Sequence, residues 1–175
     1  MHPIRILSLA LALVCFIAPP RADAADYPPA SQITVVGPTG ASVILALDEL
    51  AKLPSVKMTV SYDTQHGAQS NTFEGPLLWD VLTHVGAIDA TKSRDAARET
   101  VLITATDNYA AAVAVGEISP GLEGKQVILA LKMNDKPIEP GHLRVVVPLD
   151  HHGERDVHEV TRIEILGAAQ QPAPR

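Results

Sequence analysis

Residues 73–87 read FEGPLLWDVLTHVGA and form the clearest helical pattern in the chain. Pro76 suits the first turn of a helix, where its missing N–H costs nothing. Leu77, Leu78, Val81, Leu82 and Val85 recur at the spacing that puts them on one face. Gly86 is a natural residue to close the last turn. Trp79, the single tryptophan, lies on this helix and is expected to pack rather than to stack on a ligand.

Upstream the period changes from helix to strand. In KMTVSYDTQHG, residues 57–67, Met58 and Val60 alternate with Lys57, Thr59 and Ser61, and Val56 precedes them in phase. That is the pattern of a half-buried strand. The stretch then gathers Tyr62, Asp63, Gln65 and His66 before Gly67 frees the backbone. Earlier still, Ile33 to Val36 and Val43 to Leu47 read as strands around the turn GPTG. DELAKL reads as a short helix with Asp48 as its N-cap, ended by Pro54.

Downstream, TVLITATDNYAAAVAV reads as two strands interrupted by Thr106, Asp107, Asn108 and Tyr109. Val127 to Leu131 is a buried strand, with a turn at Asn134 and Asp135. LRVVVP is a further apolar run stopped by Pro148. In VTRIEIL, Thr161, Ile163 and Ile165 alternate with Arg162 and Glu164. Many strands and few helices predict an α+β, mostly β domain. No internal repeat is present.

The ends carry a different message. Arg5, the apolar run Ile6 to Ala18 and the small-x-small triplet Ala22-Asp23-Ala24 make the pattern of a secretory leader, cleaved near Ala24. The run is too short to span a bilayer. Cys15 follows Val14 rather than a small residue, which does not suit a lipid anchor. The layout expected is a leader over 1–24, a flexible segment over 25–32, a domain over 33–167 and a disordered tail over 168–175. The protein is then periplasmic or secreted, with no direct membrane insertion.

Loss of the leader takes the formal charge from −6 to −7, because two arginines and one aspartate leave with it. An acidic chain without a Lys/Arg cluster does not suit nucleic acid or an anionic membrane surface. Cys15 is the one cysteine, so the mature chain has no disulfide, no cysteine-type zinc site and no thiol nucleophile. No glycine-rich dinucleotide or triphosphate motif and no nucleophile elbow appear.

Three strand ends run into polar loops: VSYDTQHG, TATDNYA and VVVPLDHHGERD. Side by side, they would bring Tyr62, Asp63, His66, Asp107, Asn108, Tyr109, His151, His152 and Arg155 to one concave surface. His151, His152 and His158 among Asp150, Glu154, Asp156 and Glu159 suggest a metal only by composition. Adjacent histidines on an extended chain point to opposite faces, and neither HxH nor HExxH spacing occurs. Contact with an organic ligand or an ordinary polar loop fits the spacing better.

In sequence order, FEGPLLWDVLTHVGA, TATDNYAAAVAVGEI, VILALKMNDKPI, LRVVVP and VTRIEI resemble the molybdopterin-binding domain of the sulfite-oxidase family, from about Ile33 to Leu166. The resemblance implies mixed sheets with a few short helices. In catalytic members, the strand aligned with KMTVSY ends in a cysteine whose thiolate ligates molybdenum; Tyr62 takes that place here. A phenol does not replace a soft thiolate at such a centre.

A pterin pocket can outlast its metal ligand. Asp63 or Asp107 suits the amino and N3–H edge of a pterin, Tyr62 or Tyr109 offers an aromatic face, and Arg144 or a histidine can donate to the 4-oxo group. Arg144 aligns with a family arginine near the cofactor.

Solitary exported versions of this fold resemble non-catalytic pterin-binding regulators, which act on the periplasmic part of a membrane-bound cyclic-di-GMP enzyme. The expectation is therefore a ligand sensor with an unmetallated pterin, no molybdenum and a membrane signalling partner. The alternatives are a molybdenum-cofactor oxidoreductase or one of its subunits, and a degenerate protein-interaction module.

Overall fold

A computed structural model describes residues 32–64 and 67–167. The expected leader, nearly all of the segment after it, the tail and His66 lie outside the described residues. Chain order begins with strands β1 (Gln32–Val36) and β2 (Ser42–Ala46), then helix α1 (Leu47–Leu50). Two long strands follow, β3 (Ser55–Thr64) and β4 (Gly67–Pro76), then helices α2 (Leu78–His84) and α3 (Ser93–Ala96). Next come β5 (Thr100–Ala105), β6 (Ala110–Ala114) and α4 (Val115–Ile118). The chain finishes with β7 (Ile128–Ala130), β8 (Lys132–Met133), β9 (Lys136–Pro137), β10 (Arg144–Val146) and β11 (Val160–Leu166).

Three sheets result, with orders β2-β1-β11-β5-β6, β3-β4-β8-β9 and β10-β7. The pairing of β1 with β11 is parallel and the other strand pairings are antiparallel. This is the α+β, mostly β architecture that the sequence predicts. The alternation in VTRIEIL is realised: Ile163 and Ile165 are buried while Arg162 and Glu164 pair with one another across the outer face. Leu78, Val81 and Leu82 bury the inner face of α2 in the main core, which also holds Ile33, Val101, Ile103 and Ile163. Trp79 packs, partly buried, on the same core.

A smaller core lies between the long hairpin and the β10-β7 pair, made by Val60, Phe73, Ile128, Ala130 and Val146. Gly75 permits it. A Cβ there would stand 2.1 Å from the Leu129 carbonyl oxygen, so only glycine lets β4 cross β7 at this distance. Leu131 N–H donates to the Glu74 carbonyl (2.9 Å) and Leu78 N–H to that of Val127 (2.8 Å), which locks the crossing.

Three local expectations are corrected. Pro76 closes β4 opposite Ser55 instead of opening the helix, and Leu77 takes the N-cap position of α2. Pairing of Phe73 and Glu74 with β8 holds this segment extended. Asp48 is inside the first turn of α1, not its N-cap, because Glu49 already accepts the Ala46 N–H from within that turn (3.2 Å). Tyr62 and Asp63 are not a loop: β3 continues through Thr64, and residues 67–76 return as its partner strand.

Candidate functional site

The inward phase of β3, Val56, Met58 and Val60, reaches Tyr62 next, so the tyrosine inherits the face that looks into the domain. The segment from Asp150 to His158 is laid alongside it. Asp63 N–H donates to the His151 carbonyl (2.9 Å), and Asp63 pairs with His152 as a parallel bridge. Farther along, Val145 and Val157 exchange both backbone hydrogen bonds (2.9 and 3.0 Å). This register sets the neighbours of Val157, Asp156 and His158, beside Arg144 of β10.

These elements line an open cavity of about 660 Å³. Tyr62 and Asp63 come from β3, Gln69 from β4 and Arg144 from β10, while His152, Gly153, Glu154, Asp156 and His158 come from the last segment. Gly153 lies close against the Tyr62 ring: a Cβ there would be 3.3 Å from Cδ2. Arg144 and His158 also line an adjoining space of about 190 Å³, together with Met133, Ile138, His142 and Glu159.

Arg144 organises one wall. Its guanidinium lies 5.4 Å from the Phe73 ring centroid, and Nη1 is 3.5 Å from the Met133 sulfur. Nη2 meets His158 Nε2, and Nε is 2.8 Å from Asp156 Oδ1. That last distance makes an ion pair, but its direction is poor. Arg144 Nε, Asp156 Oδ1 and Asp156 Oδ2 are all buried without a well-directed hydrogen bond. Burial pushes the Asp156 carboxyl up to about 6, against the pull of the Arg144 charge and the Tyr62 hydroxyl. Burial, and next the Arg144 charge, hold the His158 imidazole below its ordinary value.

Of the residues expected at the site, Tyr62, Asp63, Arg144 and His152 line this cavity. The others do not. Asp107 caps its own turn by accepting the Tyr109 N–H (2.8 Å), and Asn108 supplies the left-handed residue of that turn (φ 67°). Tyr109 does reach the rim by another route, since its hydroxyl donates to the Glu154 carbonyl. His151 contributes its carbonyl to the Asp63 N–H, and its residue is exposed. Arg155 is a brace rather than a lining residue. It grips Asp150 through Nε and Nη2 (2.8 and 2.6 Å) and reaches Glu117 (3.3 Å). Both partners raise its pKa further, Asp150 first.

Gln69, Gly153, Glu154, Asp156 and His158 join the cavity without having been named for a pterin. Gln69 follows from the hairpin register, because it stands opposite Tyr62. Asp156 and His158 carried a signal, the polar–apolar–polar alternation around Val157, but from sequence they lie in a run that suits a polar loop or an organic-ligand contact better than a metal, with neither assigned to the pterin. Among the described residues, no group of three or more His, Cys, Asp or Glu is placed to hold a metal ion. Cys15 lies outside the described residues.

The sequence matches the family model described as the oxidoreductase molybdopterin binding domain over residues 18–173. A search of curated proteins returned no match. Among solved structures, the chain is similar to the crystal structure of the sulfane dehydrogenase SoxCD from Paracoccus pantotrophus, with a TM-score of 0.62 at 14% identity. The similarity covers 78% of this chain and 38% of that one, so this chain spans well under half the length of that relative.

Proposed function

The chain belongs to the oxidoreductase molybdopterin binding domain family, and from that premise we propose that it binds a pterin in the Tyr62–Arg144 cavity and carries no molybdenum. In this reading it is an exported ligand sensor, not an enzyme. Its loaded form acts on the periplasmic part of a membrane-bound cyclic-di-GMP enzyme.

The observation that carries the reading is the identity of the group at the inward end of β3. The side chain there is a phenol beside Gly153, at the position to which the resemblance assigns the molybdenum-ligating cysteine of catalytic members. Oxygen and imidazole donors around it suit an organic ring better than a soft, sulfur-ligated metal. The pterin itself fits the residues present. Tyr62 supplies an aromatic face, Arg144 and His152 supply donors, and a volume of about 660 Å³ is within the ordinary range for a small-molecule site. The molybdenum centre, when bound in the family, supplies oxygen-transfer redox chemistry; no side chain of this cavity offers the sulfur that seats it. Export and the signalling partner are supported by the leader-type residues 1–24 and by the resemblance to the solitary regulators. The competing reading, a molybdenum oxidoreductase or a subunit of one, draws on family membership itself.

One preparation separates them. The full-length protein is purified from its native host and denatured, and the released small molecules are identified by fluorescence and mass spectrometry while molybdenum is assayed. A simple pterin near one per chain is the expected result. Stoichiometric molybdenum with a dithiolene pterin, or sulfite turnover by the purified chain, would overturn the proposal.

A further inference from the structure

Asp156 presents the least satisfied polar atoms in the cavity wall. Its side chain is only 6% exposed, and neither carboxylate oxygen has a directed hydrogen-bond partner. A buried carboxylate is normally paired with well-placed donors, whereas these two oxygens, shut off from solvent beside the cavity, have the Arg144 guanidinium and the Tyr62 hydroxyl near them and neither is well directed. We propose that Asp156 reads the donor edge of the bound heterocycle, with the Arg144 guanidinium yielding its place to that edge. The inference rests on the pterin reading above and adds the residue and the chemical feature that set ligand choice.

The chemistry is one of matched patterns. An ionised carboxylate only accepts hydrogen bonds, and it accepts two in parallel from a planar pair of N–H donors. A guanidinium presents such a pair, and so does the 2-amino and N3–H edge of a pterin. Arg144 offers its donors badly: its Nε is 2.8 Å from Asp156 Oδ1, but the N–H points off the contact. The same guanidinium has other neighbours in His158, the Met133 sulfur and the Phe73 ring. It can move along them without becoming isolated, which uncovers the two oxygens and leaves the cation near the ligand's 4-oxo group.

The rival carboxylates are poorer candidates. Asp63 and Glu154 are exposed, so water already satisfies them. Asp107 is occupied by its own turn.

The prediction is a specific chemical choice. Pterin has two donors on this edge, whereas lumazine has an oxygen in place of the 2-amino group and presents a donor and an acceptor. Wild-type protein should bind pterin at least about tenfold more tightly than lumazine, the worth of one hydrogen bond to a charged group. Asp156→Asn replaces two acceptors by an acceptor and a donor, and should erase or invert that preference.

Both ligands are fluorescent, so titration of the full chain measures the ratio directly. A ratio unchanged in Asp156→Asn overturns the inference, and so does one that moves with Asp63→Asn instead. Should Asp156→Asn fail to fold, the wild-type ratio decides, and indifference between the two ligands overturns it. Failure of wild type to bind either ligand would instead sink the pterin reading beneath it.

Discussion

Acidification should stabilise this protein through one side chain. The Asp156 carboxyl has a folded pKa of about 6 against an ordinary value of 3.8. Its protonated form is therefore preferred in the fold. The sign follows: the contribution to stability is complete below the unfolded value and is lost as pH rises through about 6. Between about pH 7 and about pH 5, protonation of this group alone should add on the order of 1 kcal/mol.

Other polar and ionisable groups share the wall: Asp63 and Tyr62 from β3, Arg144 from β10, and His152, Glu154 and His158 from the last segment. His158 opposes the effect, because its lowered pKa makes the fold lose stability as pH falls through its unfolded value. Glu117, whose pKa is lowered by Lys125, Ala114 and Arg155 against its own burial, loses its contribution only at lower pH. Subtraction isolates the term. Urea unfolding of wild type and Asp156→Asn across this range should show the wild type gaining about 1 kcal/mol on the variant at the acidic end. A difference that stays flat, or that grows toward alkaline pH, would refute the placement of Asp156 as a buried, poorly solvated acid.

Four further outcomes can be checked. Gly75→Ala should cost about 3 kcal/mol or more in urea unfolding, or abolish folding, because the new Cβ meets backbone rather than a movable side chain. Gly153→Ala should leave unfolding nearly unchanged yet weaken pterin binding severalfold by titration, since its Cβ presses on the Tyr62 ring at 3.3 Å. Tyr62→Ala should weaken binding about tenfold through loss of the stacking face, with the pterin fluorescence titration as the readout. Asp107→Ala should instead act on stability, by about 1 kcal/mol, while affinity holds, because that carboxylate serves the turn at Tyr109.

The legible parts of the fold were those with a periodic apolar signal. TVLITA and AAAVA alternate and became β5 and β6 joined at Asp107 and Asn108. VTRIEIL became β11 with its inner face as read. By contrast β4 begins GAQSNT, whose exposed residues carry no period, and its pairing with β3 is what holds it extended. Pro76 misled for a related reason. A proline before a helix fits its first turn, but the pairing of the preceding residues kept it in the strand. The site divided along the same line. Tyr62 was visible because it continues an alternation, whereas Asp156 depends on a contact between Val145 and Val157 that no local pattern announces. Arg155 and Asp107 looked like ligand groups because charge in a loop has the same appearance whether it faces a cavity or braces the loop itself.

That bracing explains how one segment can serve both as wall and as surface. Arg155 ties Asp150 and Glu117 together, and the Tyr109 hydroxyl holds the Glu154 carbonyl. The backbone between them is therefore fixed by Arg155, behind the cavity wall, and by Tyr109 at its rim. Leu149, next to Asp150, is 86% exposed and in the left-handed region (φ 69°), a conformation an unbraced leucine rarely adopts. Asp156 and His158 line the cavity from the same run and rest on Arg144, whose contact with Asp156 is ill directed. Rigidity is thus placed at the outer anchors and slack at the inner pair. In the proposed complex, two directed hydrogen bonds from the ligand replace the slack at Asp156, inside a segment whose backbone is already held at Asp150, Glu154 and Arg155.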